Sequence, residues 1–163
     1  MEQAGLPKAV VQDQARLDTK NAGVQRWIVG CMVPRADAQK TKLQRSIEEY
    51  VDDRDKRKCF VTMVGALFDA IQVDDYQAAL LGGPVSCKPA KNFKFETQNH
   101  TLWELKNGNK DRIYFFPVTK GPHRVLVLLK AYHKKDQRTP DEIDPCVDDA
   151  KDLIRCHGDI EFC

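Results

Sequence analysis

Residues 24–33 read VQRWIVGCMV, an apolar run rich in β-branched and aromatic side chains between Gly23 and Pro34. Its length and composition predict a buried strand. Beyond Pro34 the period changes. Leu43, Ile47, Tyr50 and Val51 recur at helical spacing, with Lys42, Arg45, Glu48, Glu49 and Asp52 on the opposite face. Residues 53–58, DRDKRK, read as a charged turn. A second helix follows, with Phe60, Val61, Val64, Leu67, Phe68 and Ile71 as its apolar stripe and Gly65 at a close helix contact. Two helices joined by a short loop predict an antiparallel hairpin.

Residues 73–100 are the least regular part, and LLGGPVSCKPAKN within them reads as a loop. LWELK at 102–106 alternates as a strand does, Asn107-Gly108 marks a turn, and residues 111–116 form the next strand. TKGPH at 119–123 turns again, and residues 124–132 continue as a nearly all-apolar central strand. The three make an antiparallel meander to which the early strand can add. Thr139-Pro140-Asp141-Glu142 has the form of a capping box. Pro145 then interrupts, and a fresh start is expected with Asp144 as cap and Val147, Ala150, Leu153 and Ile154 packing the last helix. The order is β-α-α-β-β-β-α. The fold class is α+β: an antiparallel sheet of about four strands on an N-terminal helical hairpin, with a C-terminal helix.

A chain of 163 residues, 42% hydrophobic, holds enough apolar surface for one core. Residues 1–23 are polar and weakly periodic and read as a flexible extension to a single domain over 24–163. The longest apolar run, 125–129, is too short to span a bilayer, and the N-terminus has no apolar signal segment. A cytoplasmic protein without membrane contact is expected. The six cysteines follow no metal-binding spacing and read as reduced structural thiols, so no metal and no cofactor is expected. No phosphate loop, nucleophile elbow or dinucleotide fingerprint is present.

Net charge is +2, but its distribution is uneven. Residues 88–138 carry twelve cations and four anions, whereas 139–163 carry two cations and eight anions. A basic middle before an acidic tail points to a polyanion site.

LWELK at 102–106, RIYFF at 112–116 and AYHKKDQRTPDEI at 131–143, in this order, resemble the RelE/HigB-like toxins of bacterial toxin–antitoxin pairs, in particular their phage-derived, Gp49-like branch. The resemblance covers roughly residues 24–155. It departs at Ala131, where the family has Gly, and at His133 before the lysine pair; Pro145 interrupts the family's terminal helix. The resemblance implies a RelE/ParE-like fold and a metal-independent, ribosome-dependent mRNA endonuclease that inhibits translation. It also implies two partners: mRNA on the ribosome and a cognate antitoxin, usually a helix-turn-helix protein. The alternatives are a non-enzymatic, ParE-like gyrase inhibitor and a degenerate interaction module that has kept the fold and lost catalysis.

Metal-free RNA cleavage needs a base for the 2′-OH, an acid for the leaving oxygen and cations around the phosphorane. Arg112 suits the phosphate clamp, or it is a surface arginine paired with Glu104 or Asp111. His133 stands within the cationic cluster and suits acid–base work, or it is an exposed strand-end histidine. Tyr132 stacks on a base or relays a proton, or it covers the sheet edge. Lys134 and Lys135 complete the catalytic group. Lys130 and Arg138 are assigned to RNA binding, as are Lys91 and Lys94, which precede the LWELK strand where the family often places functional lysines.

Overall fold

The computed structural model describes residues 9–11, 26–33, 37–51, 53–134, 141 and 143–159. Its strands are β1 (Ala9–Val11), β2 (Ile28–Met32), β3 (Val85–Phe95), β4 (Gln98–Asn107), β5 (Asp111–Lys120) and β6 (His123–His133). Its helices are α1 (Lys42–Tyr50), α2 (Arg54–Ala70), α3 (Tyr76–Leu80) and α4 (Ile143–Arg155), and a 3-10 turn follows at His157–Asp159. The strands form one mixed sheet in the order β1-β2-β6-β5-β4-β3. From β3 to β6 the sheet is an antiparallel meander, while β2 runs parallel to β6. The α+β class holds. None of the described helices is long and apolar enough to cross a membrane.

Strand alternation sends apolar side chains to both faces, so the sheet carries two cores. On one face Leu105, Ile113, Phe115, Leu126 and Leu128 pack with Leu43 of α1, Phe60, Met63 and Leu67 of α2, and Tyr76 of α3. On the other face Leu102, Tyr114, Phe116, Val125 and Val127 pack with Cys146, Val147, Ala150 and Leu153 of α4. Burial on both faces explains the unbroken apolar run 125–129, all of it buried.

Several expectations are corrected. Among the described residues the sheet has six strands and is mixed rather than antiparallel. The stretch 80–92, read as a loop, is mostly β3, and α3 ends where it begins. Gly82, at φ +79°, follows the end of α3, and the two prolines that suggested a loop are tolerated. Pro84 precedes β3, and Pro89 sits on an outer strand at a register shift, where a missing N–H interrupts no central ladder. Residues 53–58 are not a turn. Asp53 caps α2 with its carboxylate, accepting from the N–H groups of Asp55 and Lys56, and the charged run is the first part of that helix. The two helices do not form a hairpin: α1 lies on β6 and β2, and α2 lies on β4 and β5. A Cβ added at Gly65 would meet nothing within 4 Å, so no close helix contact calls for a glycine there, and Val61 is exposed. The buried stripe of α2 is Phe60, Met63, Leu67 and Ala70.

Pro145 does not delay the last helix. It is the third residue of α4, in the first turn, where backbone N–H groups have no helical partner. The capping box falls on residues 139–142, of which only Asp141 is described. Within the segment taken as an extension, residues 9–11 pair antiparallel with Gly30–Met32 of β2.

β2 pairs with β6 only as far as Leu128, and β6 runs on to His133. Beyond Leu128 the vacant sheet edge is taken by α1, whose cap Thr41 and Gln44 make a reciprocal capping box. Ser46, buried in the middle of this helix, donates to the carbonyl of Leu43 at 2.7 Å and accepts the backbone N–H of Ala131 at 2.8 Å. A serine hydroxyl thus does for Ala131 what a neighbouring strand would have done. Ser46→Ala leaves that N–H buried without an acceptor and is expected to cost about 1–3 kcal/mol. Urea denaturation checks this, and a change within error sinks it.

Candidate functional site

The first two segments that carry the resemblance, and the start of the third, lie on adjacent strands at one end of the sheet. LWELK is on β4, RIYFF on β5, and Ala131, Tyr132 and His133 close β6. Pairing sets Lys106 opposite Arg112 and Arg112 opposite Tyr132; Asp111 stands opposite His133.

A bulge decides these partners. The β5–β6 hairpin closes at Lys120 and His123, around a two-residue turn whose Gly121 sits at φ +57°. Regular pairing continues to Phe115 and Leu128, and then Leu129 is extra, so that Tyr114 meets Lys130. Without that residue Asp111 would face Tyr132. With it, Asp111 faces His133, and His133 Nδ1 lies 2.7 Å from Asp111 Oδ1. A carboxylate only accepts, so Nδ1 is the donor, and in the neutral tautomer that this contact selects the lone pair lies on Nε2. The side chains of His133 and Asp111 are 22% and 15% exposed. Pairing runs one residue further, the N–H of Lys134 donating to the carbonyl of Lys110 at 2.8 Å.

Arg112 is not a surface arginine and not a free phosphate clamp. It is buried at 4% exposure. Its Nε is 3.3 Å from Glu104 Oε1, and its terminal nitrogens donate to the carbonyls of Asp111 at 2.9 Å, Asn109 at 3.1 Å and Gly108 at 3.4 Å. Lys88 Nζ reaches the same Glu104 oxygen at 3.3 Å. The guanidinium therefore ties the β4–β5 turn to the sheet. Of the alternatives read from sequence, pairing with Glu104 is realised, in the interior.

Tyr132 is buried as well, edge-on to Tyr50 of α1 with ring centroids 5.3 Å apart. Lys130 Nζ sits 4.5 Å above the Tyr50 ring and 3.4 Å from its hydroxyl. The alternation of faces parts the expected group. Tyr132 belongs to the α4-side core, and Ala131 and Ile113 to the other. Arg112 thus shares a face with Tyr132, while Asp111 and His133 point the opposite way. Arg112, Tyr132 and His133 do not line one pocket.

The remaining expected residues are dispersed. Lys134 is half-buried at the end of β6. Lys135 and Arg138 lie outside the described residues. Lys91 and Lys94 are on β3, three strands away from β6. Lys91 pairs with Asp144 of α4 at 2.5 Å, and Lys94 is exposed near the β3–β4 turn. Sequence reasoning missed Asp111 as the partner of His133, and Ser46, Lys88 and Tyr50 as neighbours of the site. The bulged register brings Asp111 there, the path of α1 brings Ser46 and Tyr50, and the β3–β4 ladder sets Lys88 opposite Glu104.

Two cavities lined by described residues flank the strands. The larger, about 470 Å³, opens at the far end of β5 between His100, Phe116, Val118, Leu153 and His157. The β5 edge there is blunted: Pro117 has no N–H to offer, and the His157 ring hydrogen-bonds to the Thr119 carbonyl. The smaller lies between α1, β6 and α4 beside Tyr50 and Lys130. At its rim Lys42 of α1 meets Asp149 of α4 at 2.5 Å.

Burial holds the Asp149 carboxyl above its ordinary value, although the hydrogen bond from Lys42 pulls the other way. The folded state then keeps this proton to higher pH than the unfolded chain does. Stability contributed here is present below the ordinary value of 3.8 and is lost as pH rises through the raised one. Asp149→Asn removes the titration. Melting temperatures measured across that window should move in the variant's favour as pH rises; a constant difference overturns this.

Burial also pushes the thiols of Cys31 and Cys87 up, to about 11 and about 12, so both are protonated and weakly nucleophilic near neutrality. Among the described residues no disulfide forms and no three His, Cys, Asp or Glu side chains converge as a metal site.

No protein-family model, curated protein or solved structure matches this chain.

Proposed function

We propose that the chain is a RelE/HigB-like toxin with a RelE/ParE-like fold, cutting mRNA on the ribosome without a metal and restrained by an antitoxin. The observation that carries the reading is the Asp111–His133 pair at the end of the sheet where the first two resembling segments and the start of the third converge. Asp111 fixes the ring so that Nε2 takes the proton of a ribose 2′-OH. The 2′-oxygen then bonds to phosphorus, and the P–O5′ bond breaks. The 5′-oxygen leaves with a proton from a neighbouring ammonium, Lys134 being the nearest in the chain. The products are a 2′,3′-cyclic phosphate and a 5′-hydroxyl. Lys110 supplies positive charge beside the phosphate, while Arg112 holds the β4–β5 turn; Lys130, expected to bind RNA, faces Tyr50 on the other side of the sheet.

One observation favours a second reading, the degenerate interaction module. In related toxins the resemblance gives the β5 arginine to the phosphate, and here Arg112 is buried against Glu104. Expression in a bacterium with mapping of mRNA ends separates the two. Growth arrest with new 5′-hydroxyl ends supports the nuclease. Binding to RNA or to an antitoxin with intact transcripts supports the module.

A further inference from the structure

α2 carries two stripes, and only one of them meets the sheet. Phe60, Met63, Leu67 and Ala70 are buried. On the opposite side stand Lys58, Val61, Gly65 and Phe68, spaced three, four and three residues apart as the inward positions of a paired helix are. Val61 is 72% exposed and Phe68 is half-buried. Gly65 lowers the helix propensity of an exposed helix interior, and nothing within one copy calls for it. The charges of α2 also run against its dipole. Arg54, Lys56, Arg57 and Lys58 crowd the positive end around Asp55, while the last turn carries Asp69 and no cation. Asp69 is exposed, and among the described residues its carboxylate has neither a hydrogen bond nor an ion pair. Lys58 reaches only the exposed Asp55, at 3.2 Å.

We propose that the outer face of α2 is the interface of a homodimer, in which two copies pair antiparallel about a two-fold axis at Gly65. The inference is independent of the RNA reading. An antiparallel neighbour reverses the charge gradient, so each helix brings to the other's ends the charge that those ends lack. Residues equally far from Gly65 meet. Val61 lies beside the partner's Asp69, and Lys58, a turn further out, lays its stem along Val61 and reaches that carboxylate. The two Gly65 notches face each other and let the axes approach to the short end of the ~8–10 Å range, which closes Val61 and Phe68 of both copies over the axis. A parallel pair sets the basic ends against one another and leaves the two Asp69 carboxylates together. The stripe is thus complementary to itself, which singles out a second copy of this chain over an unrelated protein. One helix pair is smaller than the standard interface of ~1,600 Å², so the dimer is weak and forms with concentration.

Sedimentation equilibrium of the full chain tests this. The mass should rise from 18.6 kDa toward twice that value between about 1 μM and about 1 mM and stop there, because a two-fold contact closes on itself. Val61→Glu should hold the mass at 18.6 kDa throughout, with the melting temperature of the dilute protein unchanged, since the side chain is exposed. Asp69→Lys should weaken the dimer by about tenfold, two symmetry-related pairs being reversed at once. That substitution improves the dipole match of the single helix, so its effect is not a loss of folding. Adding Lys58→Glu to Asp69→Lys should bring the parent's affinity back, which a merely adhesive surface does not do. A parent mass fixed at 18.6 kDa, growth beyond the dimer, association untouched by Val61→Glu, or a double exchange that recovers nothing overturns the interface.

Discussion

Arg112→Ala should destabilise the protein by about 3–5 kcal/mol, the cost of breaking a buried ion pair from one side. The side chain holds Glu104 and three turn carbonyls at once, and at 4% exposure no water replaces them. Alanine leaves the Glu104 carboxylate buried with only Lys88, whose ammonium is half in solvent, so partial compensation places the loss toward the lower end of that range. Arg112→Lys recovers little of it. An ammonium is a point charge and cannot serve Glu104 and the carbonyls of Gly108, Asn109 and Asp111 in their different directions. Urea unfolding measures the difference. A variant as stable as its parent shows that the arginine is not structural, and the phosphate-clamp role returns.

Changing His133 to glutamine should instead leave stability nearly intact and lower the proposed RNA cleavage by about 10²–10⁴-fold, the contribution of a positioned general base. Glutamine keeps a donor for Asp111 but has no basic nitrogen at the position of Nε2. Asp111→Asn should give a smaller loss, because an amide orients the ring less well and no longer fixes Nδ1 as the protonated nitrogen. The two sites separate by temperature. Activity lost through Arg112→Ala returns where the variant is cooled into its folded range, whereas activity lost through His133→Gln does not. Undiminished cleavage in His133→Gln removes the proposed chemistry altogether.

The meander was visible in the chain because each cue is local. Asn107-Gly108 and Gly121-Pro122 put turns where β4, β5 and β6 are joined, and alternation or continuous apolarity marks the strands between. The last helix showed in the spacing of Val147, Ala150, Leu153 and Ile154. β3 did not show, because Pro84 and Pro89 signal a loop unless the strand is known to lie at the sheet margin, and the five residues of α3 are too few to show a helical period. Nor did the separation of α1 from α2, because an amphipathic stripe says that a helix is covered but not by what.

The candidate site divides in the same way. Arg112, Tyr132, His133 and their lysines are grouped by sequence alone, as consecutive or hairpin-related positions, and so is the positive charge of that region. The fold class, the three strands and the basic character of the strand exit follow from such local facts. Which side chains meet does not. The extra residue Leu129 in β6 moves His133 onto Asp111 and turns it away from the face of Arg112 and Tyr132. The short reach of β2 brings α1 and Ser46 to the open edge and so creates the cavity beside Tyr50. Both depend on how far distant strands run and how their ladders pair, and a two-residue period leaves no room for error: a shift of one residue reverses every side chain beyond it.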